Sequence, residues 1–225
     1  MRRVKRIMVG LPVLVLVGVL AVASARWGVA SLDTWQASRV LEQLLTAREF
    51  DADRAALLER GLGFLDDAER RAGPHPDVHD RRGQMYYWAA MNQADAGLER
   101  GQMLERAAEE YRASLALRPM WPYTWANLAV VKAEAGIFDR EFRTAVRRTV
   151  ETGPWEPGVQ LQLIRVDFAE QQRLDRQSRA LIDTMLVRAA QRQPDRVARL
   201  AARYGQTARL CGMPQFASEL SACKR

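Results

Sequence analysis

Hydrophobic and polar positions alternate along this chain with the period of an α-helix almost throughout, and in one place the polar positions vanish. Residues 7–25 carry no charge and are rich in valine and leucine. At a rise of about 1.5 Å per residue such a run spans roughly the ~30 Å hydrocarbon core of a bilayer. Beyond it, Trp35, Val40, Leu41, Leu44 and Leu45 fall at the spacing of an apolar stripe, with Asp33 placed to cap the helix. Leu57, Leu58, Leu62, Phe64 and Leu65 predict a second helix ending near Gly73 and Pro74, after which residues 74–80 read as a linker or tight loop. A further helix starts near Asp80 and carries Met85, Tyr86, Trp88, Ala89 and Met91, with a turn at 97–101. Leu104, Ala107, Ala108 and Tyr111 then mark the inner face of a helix closed by Pro119, followed by helices near 123–134, 140–151, 158–169 and 174–192. After Pro194 an amphipathic stretch with Val197, Leu200, Ala201 and Tyr204 predicts a capping helix whose outer face is Arg196, Arg199 and Arg203.

The later helices are related to one another. The junctions at 118–122 and 153–157 place two prolines and a tryptophan in nearly the same order, 35 residues apart (154 − 119). Twelve, eight and five residues before Pro119 stand Ala107, Tyr111 and Ser114. Phe142, Val146 and Thr149 hold those positions before Pro154, and Ile182, Leu186 and Ala189 before Pro194. Each trio falls on one helical face and ends on a small residue that lets a neighbouring helix approach, and each proline stops its helix. Trp125, Leu128 and Ala129, followed by Gly136, Phe138 and Asp139, resemble the tetratricopeptide pattern. Ala47, Phe50 and Asp51 echo the alanine, phenylalanine and aspartate of that turn and mark a degenerate earlier repeat. The pattern departs from the family at Lys132, where an aromatic is usual, and at Gln160, where a third tryptophan would stand. The apolar run and this repeat pattern together predict an all-α fold: one N-terminal transmembrane helix followed by a tetratricopeptide-like helical-hairpin solenoid. The expected domains are a membrane anchor or signal peptide over 1–26, a helical-repeat domain over 31–210, and a C-terminal tail over 211–225.

Charge adds orientation. The formal charge is +7, but five cations lie in the first 26 residues, leaving 29 (34 − 5) against 27 acids, so nucleic acid is not implied. Arg2, Arg3, Lys5 and Arg6 precede the apolar run, and only Arg26 stands at its far edge. By the positive-inside rule the amino terminus lies in the cytoplasm and the remainder outside, with Trp27 at the outer interface. Ala23, Ser24 and Ala25 also fit a signal-peptidase site, although the run exceeds the usual signal core of about 7–15 residues. Both readings export the domain. The chain has two cysteines, Cys211 and Cys223, and outside the cytoplasm they are a disulfide candidate that would clasp the C-terminal segment, with about 3 kcal/mol available. Between residues 158 and 210, ten arginines face five acids, an excess suited to anionic lipid, an acidic partner or an acidic polymer as well as to a solvated surface.

Candidate chemistry is sparse. His75 and His79 sit in or beside a proline-broken loop without a third ligand, so no metal and no cofactor is expected. No nucleophile elbow, phosphate cradle or metalloprotease motif occurs, and a non-enzyme is expected. If the repeat register holds, Tyr123, Ala126, Val130 and Ala133 line a partner-binding groove. Trp121 and Trp155, held between prolines, either pack into the next hairpin or stack on sugar rings.

The anchor, the degenerate repeats, the run from Leu115 to Ala129 and the second junction together resemble the VpsP-type exopolysaccharide-biosynthesis proteins, over about a fifth of the chain. That resemblance implies a single-pass inner-membrane protein with a periplasmic C-terminal domain. Its implied role is that of a non-catalytic scaffold or accessory protein of exopolysaccharide synthesis or export. Its partners would be inner-membrane or periplasmic proteins of that assembly. A polysaccharide-binding module using the junction tryptophans and a general envelope assembly adaptor are the alternatives. The charge step across residues 7–25 predicts that alkaline phosphatase fused after Arg225 is active and green fluorescent protein fused there is dark in cells. The reverse pattern would place the domain in the cytoplasm.

Overall fold

A computed structural model describes residues 2–46, 52–92 and 98–213, together with Phe216 and Cys223. The described residues form ten α-helices and one short 3-10 turn, with no strand among them, so the fold is all-α as the periodicity requires. The chain divides into two compact units, Met1–Ala94 and Asp95–Arg225. The Ala47, Phe50 and Asp51 echo lies outside the described residues.

In the first unit, α1 (Arg2–Thr46) runs unbroken for 45 residues. The boundary expected between an anchor and a repeat domain, at residues 26–31, therefore falls inside one helix, because no proline interrupts the chain from Val13 to Thr46. Asp33 does not cap a new helix; it is buried mid-helix and pairs with Arg71 of α2 (Ala52–Ala72). From Val13 to Ala25 every side chain is exposed, and the helix is long and apolar enough to cross a membrane. Its character changes at Ala30. Ala30, Ala37, Val40, Leu41 and Leu44 are buried on one stripe, against α2 and α3 (Pro76–Asn92). Trp35, expected on that stripe, points away from it and is exposed, whereas Trp88 of α3 is buried.

The α2–α3 corner is shorter than the linker or tight loop expected over 74–80, because α3 already begins at Pro76. Gly73 adopts φ 85°, a conformation cheap only without a Cβ, and its amide closes α2 on the Glu69 carbonyl at 2.8 Å. Helix α3 then starts at Pro76, whose ring presets the first helical φ, and the Asp77 amide donates to Nδ1 of His75 at 3.2 Å. His79 consequently lies within the helix. Buried Arg82 ties α3 to α2 through Asp66 at 3.0 Å and Glu69 at 2.8 Å.

The second unit holds α4 (Leu98–Leu117), α5 (Pro122–Glu134), α6 (Arg140–Thr152), α7 (Pro157–Glu170), α8 (Arg176–Arg192), α9 (Pro194–Arg203) and α10 (Thr207–Cys211). Residues 98–101, expected in a turn, form the first turn of α4 instead. Helix α5 packs on α4, α6 and α7, and α7 packs on α8 and α9, while α6 also meets α8. Helices α5, α7 and α9 thus make one layer and the helices between them another. All nine residues of the three proline-anchored trios are buried to 1% exposure or less, which is what a repeated packing face requires. Helix α8 begins two residues after Leu174, because Asp175 caps it by accepting from the Ser178 amide at 2.9 Å, and the 3-10 turn Gln171–Arg173 fills the gap.

The anomalous Lys132 explains itself in this layering. It is buried in α5, and its ammonium donates to Asp139 at 2.9 Å and Glu141 at 2.6 Å. Glu141 also accepts twice from Arg112 of α4, at 2.8 and 3.0 Å, so one carboxylate joins α4, α5 and α6. An aromatic at 132 would leave both acids without this partner. The hydrogen bonds from Arg112, then Lys132, outweigh burial and hold the Glu141 carboxyl at about 2 instead of 4.5. The unfolded chain therefore takes up this proton first as pH falls. Glu141's contribution is complete above pH 4.5 and is lost on descent towards about 2. The thermal midpoint of the second unit should fall across that window, and Glu141→Gln should start lower at pH 7 and fall less steeply. Parallel profiles would remove Glu141 from the account.

Candidate functional site: the proline and tryptophan junctions

The two junctions between layers have the same backbone. At the first, the Trp121 amide donates to the Arg118 carbonyl; at the second, the Glu156 amide donates to the Gly153 carbonyl, both at 3.3 Å. Pro122 and Pro157 then open α5 and α7 at the first helical turn. Nε1 of Trp125 donates to the Pro119 carbonyl at 2.8 Å, and 35 residues on (160 − 125) Nε2 of Gln160 donates to the Pro154 carbonyl at the same 2.8 Å. Gln160 thus replaces the expected tryptophan while keeping its hydrogen bond.

The junctions lie side by side. A Cβ on Gly153 would overlap the Pro122 ring, and one on Gly158 would come within 3.1 Å of the Tyr123 ring. The Tyr123 hydroxyl donates to Glu156 at 3.1 Å, and burial followed by this bond pushes the phenol up from its ordinary value. Gln193, before α9, donates to the Pro157 carbonyl and to Oε1 of Gln160, both at 3.1 Å. Three helix starts are thereby joined into one edge.

The proposed groove residues fare differently. Ala126, Val130 and Ala133 are buried, and Tyr123 alone of the four keeps partial exposure. They do not line an open groove, because α5 is enclosed by α4, α6 and α7 and buries most of its circumference. Trp121 and Trp155, for which packing was one expectation, retain 41% and 53% exposure. Each carries a guanidinium on its ring: Arg118 at 4.4 Å from the Trp121 centroid, and Arg188 at 4.7 Å and Arg192 at 5.8 Å from that of Trp155. Tyr123 lies 5.9 Å from Trp121, ring to ring. Among the described residues no carboxylate pairs with Arg188 or Arg192.

The sequence carries a signal for these arginines in their spacing from the prolines. Arg148 and Arg188 both stand six residues before a repeat proline. Arg148 reaches Sδ of Met120 at 3.7 Å and the Trp125 ring at 5.9 Å, the first-junction counterpart of Arg188 on Trp155. Stacking on an aromatic face holds a guanidinium while leaving its N–H edge free for an anion.

Other candidates sit apart. His75 caps α3, and His79 lies 3.7 Å from Glu69 of α2; among the described residues no group of three ligating side chains is placed to hold a metal. Cys211 and Cys223 are bonded, with Cα atoms 5.3 Å apart. Beside them Leu210 and Phe216 join a core with Ile164, Phe168 and Leu186, while Arg209 pairs with buried Asp167 at 2.7 Å. No protein-family model, curated protein or solved structure matches the chain.

Junction contact is tight enough to test by adding one methyl group. Gly153→Ala should destabilise the second unit by about 1–3 kcal/mol through overpacking against Pro122, with helix content retained. Gly63→Ala, in α2 with open space around it, should stabilise the first unit by about 0.5–1 kcal/mol. Urea unfolding of the full chain in detergent reads both, and equal effects of the two would contradict the close junctions.

Proposed function

We propose that this chain is a membrane-anchored, non-catalytic accessory protein of bacterial exopolysaccharide synthesis or export. In this reading it crosses the inner membrane once through residues 7–25, presents a tetratricopeptide-like array to the periplasm, and binds an acidic polysaccharide along its junction edge. The single observation that carries the proposal is the pairing of exposed Trp155 with Arg188 and Arg192, two cations without a carboxylate partner among the described residues. A sugar ring offers an apolar face to an indole, and a uronate offers a carboxylate to a guanidinium; a neutral polymer would use only half of this edge. The unbroken apolar helix supports the anchor, and the bonded Cys211 and Cys223 support an oxidising compartment.

Leu117 and Met120, exposed beside Trp121, favour a second reading in which a protein of the same assembly docks here. The double variant Trp121→Ala with Trp155→Ala separates the two. Because both rings are half exposed, it should cost about 1–2 kcal/mol of stability, below the ~3–5 of a buried tryptophan. Its affinity for polygalacturonate, measured by affinity electrophoresis of the detergent-solubilised chain, should fall at least about tenfold, or ~1.4 kcal/mol. Unchanged polyuronate binding, with loss of a co-purifying membrane protein from the variant, would instead support protein docking.

A further inference from the structure

Just beyond the apolar span, the first unit holds a cavity of about 310 Å³, at the lower end of the ~300–1,000 Å³ typical of small-molecule sites. Ala30, Ala68 and Val78 are buried in its floor, and Trp27 and Trp35 stand at its sides with 58% and 61% exposure. The α1 residues involved recur at helical spacing, so one face of that helix builds one wall, and α2, α3 and the corner between them supply the rest. Trp27 is the second residue after Ala25, about 3 Å along the axis, and Trp35 stands about 12 Å further. The trough thus starts at the depth of the headgroup layer, where tryptophan is favoured.

The cavity also contains an unspent cation. The other arginines of this corner are engaged: Arg71 pairs with Asp33, Arg82 with Asp66 and Glu69, and Nε of Arg26 donates to the Arg71 carbonyl at 3.0 Å. Arg81 makes no ion pair among the described residues, and its Nε is buried with no hydrogen-bond partner. The one carboxylate in the lining, Asp77, lies 3.9 Å from Nδ1 of His75. Apolar floor, interfacial tryptophans and a lone guanidinium match one chemistry, an anionic amphiphile, better than a soluble phosphate, which would leave the floor unused.

We propose that this trough holds an anionic phospholipid of the adjoining leaflet, its phosphate on Arg81 and its glycerol and first methylenes on the alanine and valine floor between the tryptophans. The proposal rests on α1 crossing the bilayer. The full chain would be assembled into nanodiscs of equal phosphatidylcholine and phosphatidylglycerol, and the lipids it retains would be identified by native mass spectrometry. Wild type should retain phosphatidylglycerol in excess, and Arg81→Gln should lower that excess roughly fivefold, the scale of one cation at a membrane surface. Arg81→Lys should restore part of it. Ser31→Phe, at an exposed position of the lining, should reduce retention of both lipids while leaving helix content unchanged. Millimolar inorganic phosphate should displace nothing, and displacement by it would make the site one for free phosphate. Chain seated in the disc with the same lipid ratio in wild type and Arg81→Gln would overturn the lipid site alone. Chain excluded from the disc would overturn the anchor and the lipid site together.

Discussion

A proline nitrogen has no hydrogen to donate, and much of the second unit follows from where that fact is used. Pro122, Pro157 and Pro194 each open a helix at a position whose amide would have had no partner inside it. The chain therefore changes layers at fixed intervals, and the preceding helix must end on a face that accepts its neighbour closely. Ser114, Thr149 and Ala189 supply that closeness. The carbonyls freed at the junctions are not left to water alone: Trp125 and Gln160 each donate to one, from the first turn of the following helix.

This arrangement separates interior from edge more sharply than a pattern of apolar residues can. Where helices enclose α5 on several sides, even small neutral residues become core; where layers meet, bulky rings are left partly outside. The edge therefore combines rings with guanidinium groups, while the helix that bears the clearest repeat signature has its apolar faces covered.

The buried trios, the helix starts at prolines and the apolar first helix were all legible in residue order, because each depends on local spacing or on backbone chemistry. The identity of the groove was not, since Ala126 and Ala133 read alike whether they face a partner or a neighbouring helix. The cation on Trp155 comes from two turns of α8, more than thirty residues away (188 − 155). Only its recurrence six residues ahead of a proline hinted at it. Lys132 looked like a departure from a pattern and proved to be half of a substitution whose other half, Glu141, is nine residues on (141 − 132) and on a different helix. Asp33 has the chemistry of a cap, which hides the continuity of α1 in the residue order, and only its partner Arg71 reveals that its oxygen is committed elsewhere.

The unbroken course of α1 makes the first unit a lever without an elbow. A helix that passes from bare apolar turns straight into a packed corner transmits every tilt of its lower half to that corner, and membrane helices commonly lean by about 20°. Height and heading are coupled in the same way: one residue added between Ala25 and Ala30 would lift everything above it by about 1.5 Å and swing it through about 100°. The number of residues between the exposed apolar turns and the packed stripe therefore sets which side of the first unit faces the end of that apolar segment.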